Sequence, residues 1–380
     1  MTSSAKRTIG IVSWDFLYAK GGMGRSMEWI ASALSTDYAV VVGTPEVSDQ
    51  RHEIRDQVFE ITPLLSFTRK YGGHLLLSFC LPFVLERWIN AHHIDVLLIP
   101  GGPGGVFLWR KPSVPYICSV YHVYEQQARL VPGQWWKKVF IPVERRTYRR
   151  AVGILSFNTD TQVVLENAYK IPADRFHPLS HAIDPSWARA AVSKIPGLCV
   201  CVARLEARKG VVVLIDAWKS VRAAIPTARL IIIGQGIQAE TIDAAIAKLS
   251  GVVRIPSVLF QDLQHIVRQA DVAVCPAYLE GFGLAAAEAM MAGTAVVAAD
   301  SEGLHCLIDD QRTGFLFASG NADQLAQTLI LSLQNDHLRQ TVSVAAQGEA
   351  EKRFDSVMTS KVLVSAFRGI LDRDECTSNT

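Results

Sequence analysis

The chain has 380 residues, 49% of them hydrophobic and 19% charged, with a formal net charge of +2 and a pI near 8.1. That balance argues against a nucleic-acid partner, which calls for a basic stripe and a higher pI, and the apolar content argues against disorder except at the ends. The length exceeds what one core fills, so two domains are expected.

From the start, TIGIVSW reads as a first strand, and the apolar run before Asp15 is too short for a signal peptide. The loop DFLYAKGGMGRS follows, where Gly21, Gly22 and Gly24 either bring backbone close to a phosphate or sugar or serve as plain turn residues. Thr8–Ser13, Ala39–Gly43, Val96–Pro100, Pro115–Val120 and Val152–Ser156 read as strands of a first unit. The apolar run Leu75–Leu85 falls short of the ~18 to 20 residues of a membrane span. The strand PYICSV runs into YHVYEQQ and puts His122 at a carboxyl end; a histidine is commonly structural, and only its position singles this one out. GQWWKKVFIPVERRTYRR combines Trp135, Trp136, Lys137 and Lys138 with Arg145, Arg146, Arg149 and Arg150. Two readings stand: an amphipathic helix with a solvated basic face, or peripheral contact with an anionic membrane.

Between Ile183 and Pro196 the pattern breaks at Asp184-Pro185 and Ile195-Pro196. The expected domains are therefore 1–184 and 185–355, with a C-terminal helix, 356–380, packing back on the first domain and ending in a frayed tail, DRDECTSNT. In the second domain LCVCVA, ARLIIIG, GVVRI, DVAVCP and TAVVA read as strands, with helices around Val211–Ala224, Ile237–Leu249, Leu259–Gln269 and Leu284–Met291. Strands alternating with helices make this an α/β chain of two Rossmann-like domains. Such sheets bind ligands at the carboxyl ends of their strands, so two of them facing each other would create a cleft. The seven cysteines show no metal or redox spacing, which suits a reducing cytoplasm.

Two strand ends carry the strongest constellations. After LCVCVA, RLEARKG places Arg204 and Lys209 in one loop, where they form either a pyrophosphate clamp or a solvated basic turn. After DVAVCP, YLEGFGLAAAEAMMAG holds Glu280 in a glycine loop and Glu288 on a helix otherwise rich in alanine and methionine. A carboxylate in such a helix costs several kcal/mol unless it is paired or bound. Both glutamates can accept hydroxyl groups of a ribose or hexose. The glycines let backbone N–H groups approach a ligand at the positive end of the helix.

GGMG near the start, the strand-end histidine, ARLEARKG, LIIIGQG, EGFGLAAAEAMMAG and TGFLF together resemble glycosyltransferase family 4, the retaining, nucleotide-sugar-dependent enzymes of the GT-B fold. The similarity covers nearly the whole chain and is densest from Val202 to Phe317. It implies that Glu280 holds the hydroxyls of the donor sugar and Glu288 the ribose, while the backbone of Gly281, Phe282, Gly283 and Leu284 lines sugar and phosphate. It further implies that Arg204 and Lys209 neutralise the leaving diphosphate, that His122 stands beside the reacting sugar, and that Gly22 belongs to a loop closing on the donor. Two stretches depart from the family pattern: SEGLHCLI, with Glu302 and Cys306, where the family often has a glycine pair and a glutamate, and Ser180–Asp184 where it often has Asn-Gly-Val-Asp.

The function so implied is transfer of a sugar from a nucleoside diphosphate to an acceptor hydroxyl with retention, in glycan, glycolipid or polysaccharide biosynthesis, in the cytoplasm or peripherally on the inner face of the membrane. The acceptor would be a carbohydrate or a lipid-linked sugar, although nothing in Gln57–Gly73 or Ala128–Lys138 spells it out. No cofactor and no metal is expected, because the cations take a metal's place; Asp372-Arg373-Asp374 lies in the tail and is set aside. Two rivals remain. One is a non-catalytic nucleotide-sugar-binding module. The other is a dinucleotide-dependent oxidoreductase or epimerase, for which GQGIQA at Gly234 is the motif, although it follows the second strand of its domain.

Overall fold

The computed structural model describes residues 6–14, 16, 22–44, 59–64, 73–188 and 192–378. Gly21, most of the stretch Gln57–Gly73 and the last two residues of the tail lie outside them. The chain forms two compact units: Met1–Gln126 with Trp136–His181 and Val357–Thr380, and Gln127–Trp135 with Ala182–Ser356.

In the first unit the elements run β1 (Thr8–Val12), α1 (Gly22–Leu34), β2 (Ala39–Thr44), β3 (Phe59–Pro63), α2 (Gly73–Ala91), β4 (Val96–Pro100), β5 (Tyr116–Val120), α3 (Tyr124–Leu130), α4 (Ile141–Arg150), β6 (Gly153–Ser156), α5 (Thr159–Tyr169) and β7 (Phe176–Pro178). The last four residues of α3 count with the second unit. That unit continues with β8 (Ile195–Val202), α6 (Val211–Ala224), β9 (Arg229–Ile233), α7 (Ala239–Ile246), β10 (Val252–Ile255), α8 (Phe260–Gln269), β11 (Ala270–Cys275), α9 (Leu284–Met291), β12 (Ala295–Asp300), β13 (Phe315–Ala318), α10 (Ala322–Gln334) and α11 (Asp336–Arg353). The chain closes with α12 (Ser356–Ser378).

The first sheet has the order β3-β2-β1-β4-β5-β6-β7 and the second β10-β9-β8-β11-β12-β13, and every pairing among the described strands is parallel. Parallel strands are covered on both faces, which is why the central ones read as unbroken apolar runs: all five residues of VLLIP in β4 and of YICSV in β5 are buried. Strand order reverses at β1/β4 in one sheet and at β8/β11 in the other. At such a switch point neighbouring crossovers leave on opposite faces and open a crevice at the carboxyl ends.

Several sequence expectations need correction. Ile195-Pro196 belongs to β8 and not to a linker. The register against β11 shifts between Ala270 and Val272, and the Asp271 carboxylate accepts the Gly197 N–H at 2.7 Å, so the strand tolerates a proline without a donor. The tail expected to fray continues α12 to Ser378, where Arg373 donates to the Asp174 carbonyl at 3.2 Å and lies 2.6 Å from His177 Nε2. Gly22 is the first residue of α1 and not part of a loop, and Gly24 is buried in the first turn. β3, β7 and β13, all at sheet edges, escaped the sequence reading, whereas the four-residue edge strand β10 was read from the β-branched run in GVVRI. Among the described residues no helix is long and apolar enough to cross a membrane.

Candidate functional site

The second unit brings together most of the residues singled out from the sequence, on either side of its switch point. β8 delivers the turn Ala203–Gly210, and its neighbour β11 delivers the loop Pro276–Gly283. The Tyr278 N–H donates to the Arg208 carbonyl at 2.9 Å and ties the two together.

Across this junction runs an ionic cluster. Lys209 Nζ donates to Glu280 Oε1, and Arg208 reaches Glu280 Oε2 at 3.4 Å, the Leu279 carbonyl at 2.9 Å and Glu206 Oε1 at 2.9 Å. Arg204 lies 3.5 Å from the same Glu206 oxygen, with its side chain half exposed. Burial opposes ionisation of Glu280, yet Lys209 and then Arg208 outweigh it and hold the carboxyl below its ordinary value. Glu206 likewise is opposed by burial but pulled down to about 2 by Arg208, Arg204 and Lys209. Three cations face two carboxylates, so the cluster keeps a net positive charge at a strand-end crevice, a composition suited to an anionic ligand.

The sequence reading joined Arg204 to Lys209 and passed over Arg208. In the structure Arg208 is the buried cation, its side chain 6% exposed, and it holds both loops. Three of the four residues from Glu206 to Lys209 are charged, and nothing in that string tells which cation a 3-10 turn at Ala207–Lys209 will direct inward.

Gly283 opens α9 at φ +86°, a conformation that an L side chain rarely adopts, and a Cβ there would sit 2.8 Å from Leu307 Cδ1 and 2.9 Å from Leu304 Cδ2. Glycine at this N-cap offers no side-chain cap, which leaves the helix start suited to an anion or hydroxyl group. Gly281 and Phe282 precede it, and Leu284 is the first helical residue. A small pocket lies here, lined by Ala203, Lys209, Pro276, Glu280, Gly283 and Ala285 among others. Glu288 is on α9 and only 5% exposed. The Cys275 thiol, at the end of β11, is pushed far up first by burial and then by Cys201, with Glu280 and Glu288 both contributing. Both carboxylates therefore stand near one strand end.

The two remaining candidates belong to the first unit. His122 lies two residues beyond β5, 7% exposed, and Gly22 opens α1 after β1. Near His122, Glu144 on α4 is wholly buried; it accepts the Tyr124 N–H with both oxygens, at 3.2 and 3.0 Å, and the Tyr169 hydroxyl. Burial pushes its carboxyl up to about 8. In the unfolded chain Glu144 ionises near pH 4.5, whereas the folded form keeps its proton until about pH 8. Its contribution is thus complete at low pH and is lost as the pH rises through that window, by about 1.4 kcal/mol per pH unit. Wild-type thermal stability should fall from pH 5 to 8 relative to Glu144→Gln; parallel curves for the two proteins in a pH series of melts would refute this.

The Gly234-Gln235-Gly236 motif has a packing role. A Cβ on Gly234 would lie 1.8 Å from the Ala203 carbonyl oxygen and one on Gly236 2.3 Å from that of Leu205, so these glycines let the Arg204 turn pass close by. The Leu205 N–H also donates to the Gln235 carbonyl at 2.8 Å.

Residues 190–349 match the family model described as glycosyl transferases group 1, and residues 20–187 the one described as Glycosyltransferase Family 4. A phosphatidyl-myo-inositol mannosyltransferase of Mycobacterium leprae is 34% identical over 160 residues, 42% of each chain. A D-inositol 3-phosphate glycosyltransferase of Segniliparus rotundus is 32% identical over 201 residues, 50% of this chain and 44% of that one. The matched part is thus less than half the length of these curated relatives. Among solved structures, sucrose-phosphate synthase from Thermosynechococcus elongatus superposes with a TM-score of 0.82 at 17% identity, covering 97% of this chain and 100% of the other. HepE of Anabaena, in complex with UDP and glucose, gives 0.75 at 17% identity, with 96% and 100% coverage. At these identities the likeness is one of fold, the GT-B fold.

Proposed function

The chain belongs to the family 4 glycosyltransferases, and on that premise we propose that it transfers a hexose from a nucleoside diphosphate to an acceptor hydroxyl with retention of configuration. The observation that carries this reading is the net-positive cluster of Arg204, Arg208 and Lys209 around Glu280 at the β8/β11 switch point. The diphosphate binds the cations and the start of α9, Glu288 takes the ribose and Glu280 takes the sugar hydroxyls; for His122 and Gly22, which belong to the first unit, the roles are those the family resemblance implies. The bond from the anomeric carbon to the phosphate oxygen breaks, the acceptor oxygen bonds to that carbon on the same face, and the leaving phosphate takes the acceptor's proton. Developing charge on the diphosphate is stabilised by the cations.

A thermal-shift screen with UDP, GDP, ADP and their sugars tests the reading and identifies the donor class, since a ligand that binds the folded state raises its melting temperature. One base should stabilise the protein; no shift with any of them contradicts the proposal. Binding of a donor without turnover would favour a non-catalytic module instead. Because the cations neutralise the leaving group, activity should persist in excess EDTA, and complete loss restored by Mn²⁺ or Mg²⁺ would overturn that scheme.

A lipid-linked acceptor and a peripheral position on the inner face of a membrane belong to the same proposal. On α2, Phe79 and Phe83 are 65% and 70% exposed, with Trp109 stacked on Phe79 and edge-on to Phe83. The Phe107 N–H bonds Ser78 of α2 and the Leu108 N–H bonds Thr147 of α4, both at 3.0 Å, so the segment that carries Trp109 packs on both helices, and Arg145, Arg146 and Arg149 of α4 are exposed. Exposed aromatics and exposed arginines on one unit suit an anionic lipid surface. The protein should sediment with anionic liposomes and not with neutral ones; negligible pelleting with both would end the idea.

A further inference from the structure

The stretch Tyr121–Tyr124 carries His122 out of the first sheet, and its backbone is held by side chains from three other places. The Tyr121 carbonyl accepts Asn158 Nδ2 at 2.6 Å and Thr161 Oγ1 at 3.0 Å, both from the start of α5. The Val123 N–H donates to Gln126 Oε1 at 2.8 Å, and that oxygen also accepts Thr161 Oγ1 at 3.2 Å. The Tyr124 N–H donates to both oxygens of Glu144 on α4, and the Tyr169 hydroxyl at the end of α5 donates to Oε2 of the same group. The His122 carbonyl lies so close to Gly102, at φ +85°, that a Cβ there would be 2.3 Å away. The backbone on both sides of His122 is therefore anchored, and turning the residue breaks one of these contacts.

The Tyr124 N–H is the first of α3 and is buried, and an N-cap side chain serves the second or third N–H of a helix, so a serine or aspartate in place of Val123 would not reach it. The chain instead brings a wholly buried glutamate from a different helix, α4, whose carboxyl group meets the Tyr124 N–H and the Tyr169 hydroxyl. Buried polar contacts of this kind between separate elements fix how those elements are placed.

We propose that Glu144 is a positioning residue for His122: through the Tyr124 N–H it fixes where the imidazole is presented at the end of β5. The inference rests on the reading of His122 given above, and it goes beyond it in naming the group that sets that histidine's place. Glu144 does not touch the donor or the acceptor. Its removal acts on turnover through His122 and leaves the nucleotide site of the second unit as it was.

A double-mutant cycle on the full chain tests this. Glu144→Ala should lower kcat about a hundredfold, the cost of displacing a reacting group by roughly 1 Å, with nucleoside-diphosphate affinity by calorimetry unchanged. Glu144→Gln keeps a carbonyl oxygen for the Tyr124 N–H and should restore most of that loss. In a His122→Ala background, Glu144→Ala should cost nothing further. Losses that multiply, or a Glu144→Gln as impaired as Glu144→Ala, overturn the inference while leaving the role of His122 standing. Normal turnover in His122→Ala alone overturns both. Should Glu144→Ala fail to fold, Tyr169→Phe replaces it in the same cycle, since it frees the carboxylate without removing it, and the same two outcomes decide.

Discussion

Lys209→Ala should lower kcat/KM by about 30- to 1,000-fold, the equivalent of about 2 to 4 kcal/mol of lost transition-state stabilisation. In the free protein Lys209 neutralises Glu280 in a partly closed pocket. On the proposed reading the ammonium is shared between that carboxylate and the leaving group once the diphosphate is bound, and charge grows on the leaving group as the glycosidic bond breaks. An interaction that strengthens along the reaction coordinate appears in kcat rather than in KM alone. Arg204→Ala should act in the same direction, because its half-exposed guanidinium meets one carboxylate oxygen at 3.5 Å and remains available to phosphate. Arg208→Ala should differ in kind. It leaves two part-buried carboxylates short of a partner and frees the Leu279 carbonyl, so it should reduce stability by about 1 to 3 kcal/mol before any effect on chemistry is read. Steady-state kinetics beside melting curves separate the three. Near-normal kcat/KM in Lys209→Ala and Arg204→Ala would return both to the role of a solvated basic turn.

The two glutamates should fail in different ways. Glu288→Gln should weaken binding of the free nucleoside diphosphate by about 1 to 3 kcal/mol and raise the donor KM in proportion, because the ribose is common to donor and product. Glu280→Gln should leave diphosphate affinity nearly intact and depress turnover, because it removes the acceptor that orients the departing sugar. The amide also cannot pair with Lys209 and Arg208 as the carboxylate does, so the released cations should, if anything, tighten the diphosphate. Calorimetry with the diphosphate and donor kinetics on both variants check this. Unchanged binding and turnover in both would make the carboxylates structural.

How much of this was legible in the chain depends on the range of the interaction. The helices Val211–Ala224 and Leu284–Met291 and the strand Val96–Pro100 were readable to the residue, since a buried apolar run bounded by glycine or proline carries its own ends. The strands Phe59–Pro63 and Phe176–Pro178 were not, because a short strand is defined by its partner and not by its own pattern. Glu280 and Lys209 could be named because they follow strands, but that they meet each other is a tertiary fact. Arg208 was hidden between Glu206 and Lys209, in a string where three of four residues are charged. Glu144 was hidden by the four arginines of its own helix, which made ERRTYRR read as a solvated basic face; its one acidic residue points inward, and only the fold reveals the Tyr124 N–H waiting there.

The central claim is that the crevice at β8 and β11 holds a nucleoside diphosphate on Arg204, Lys209 and the start of α9. Isothermal titration of the full chain with the diphosphate of the base identified by thermal shift tests it most directly. One site per chain is predicted, weakened by about 5- to 150-fold in Glu288→Gln and by a comparable factor in Lys209→Ala, as a lost charge-assisted bond of about 1 to 3 kcal/mol requires. Equal affinity in the wild type and both variants, or no binding of any nucleoside diphosphate, would contradict it.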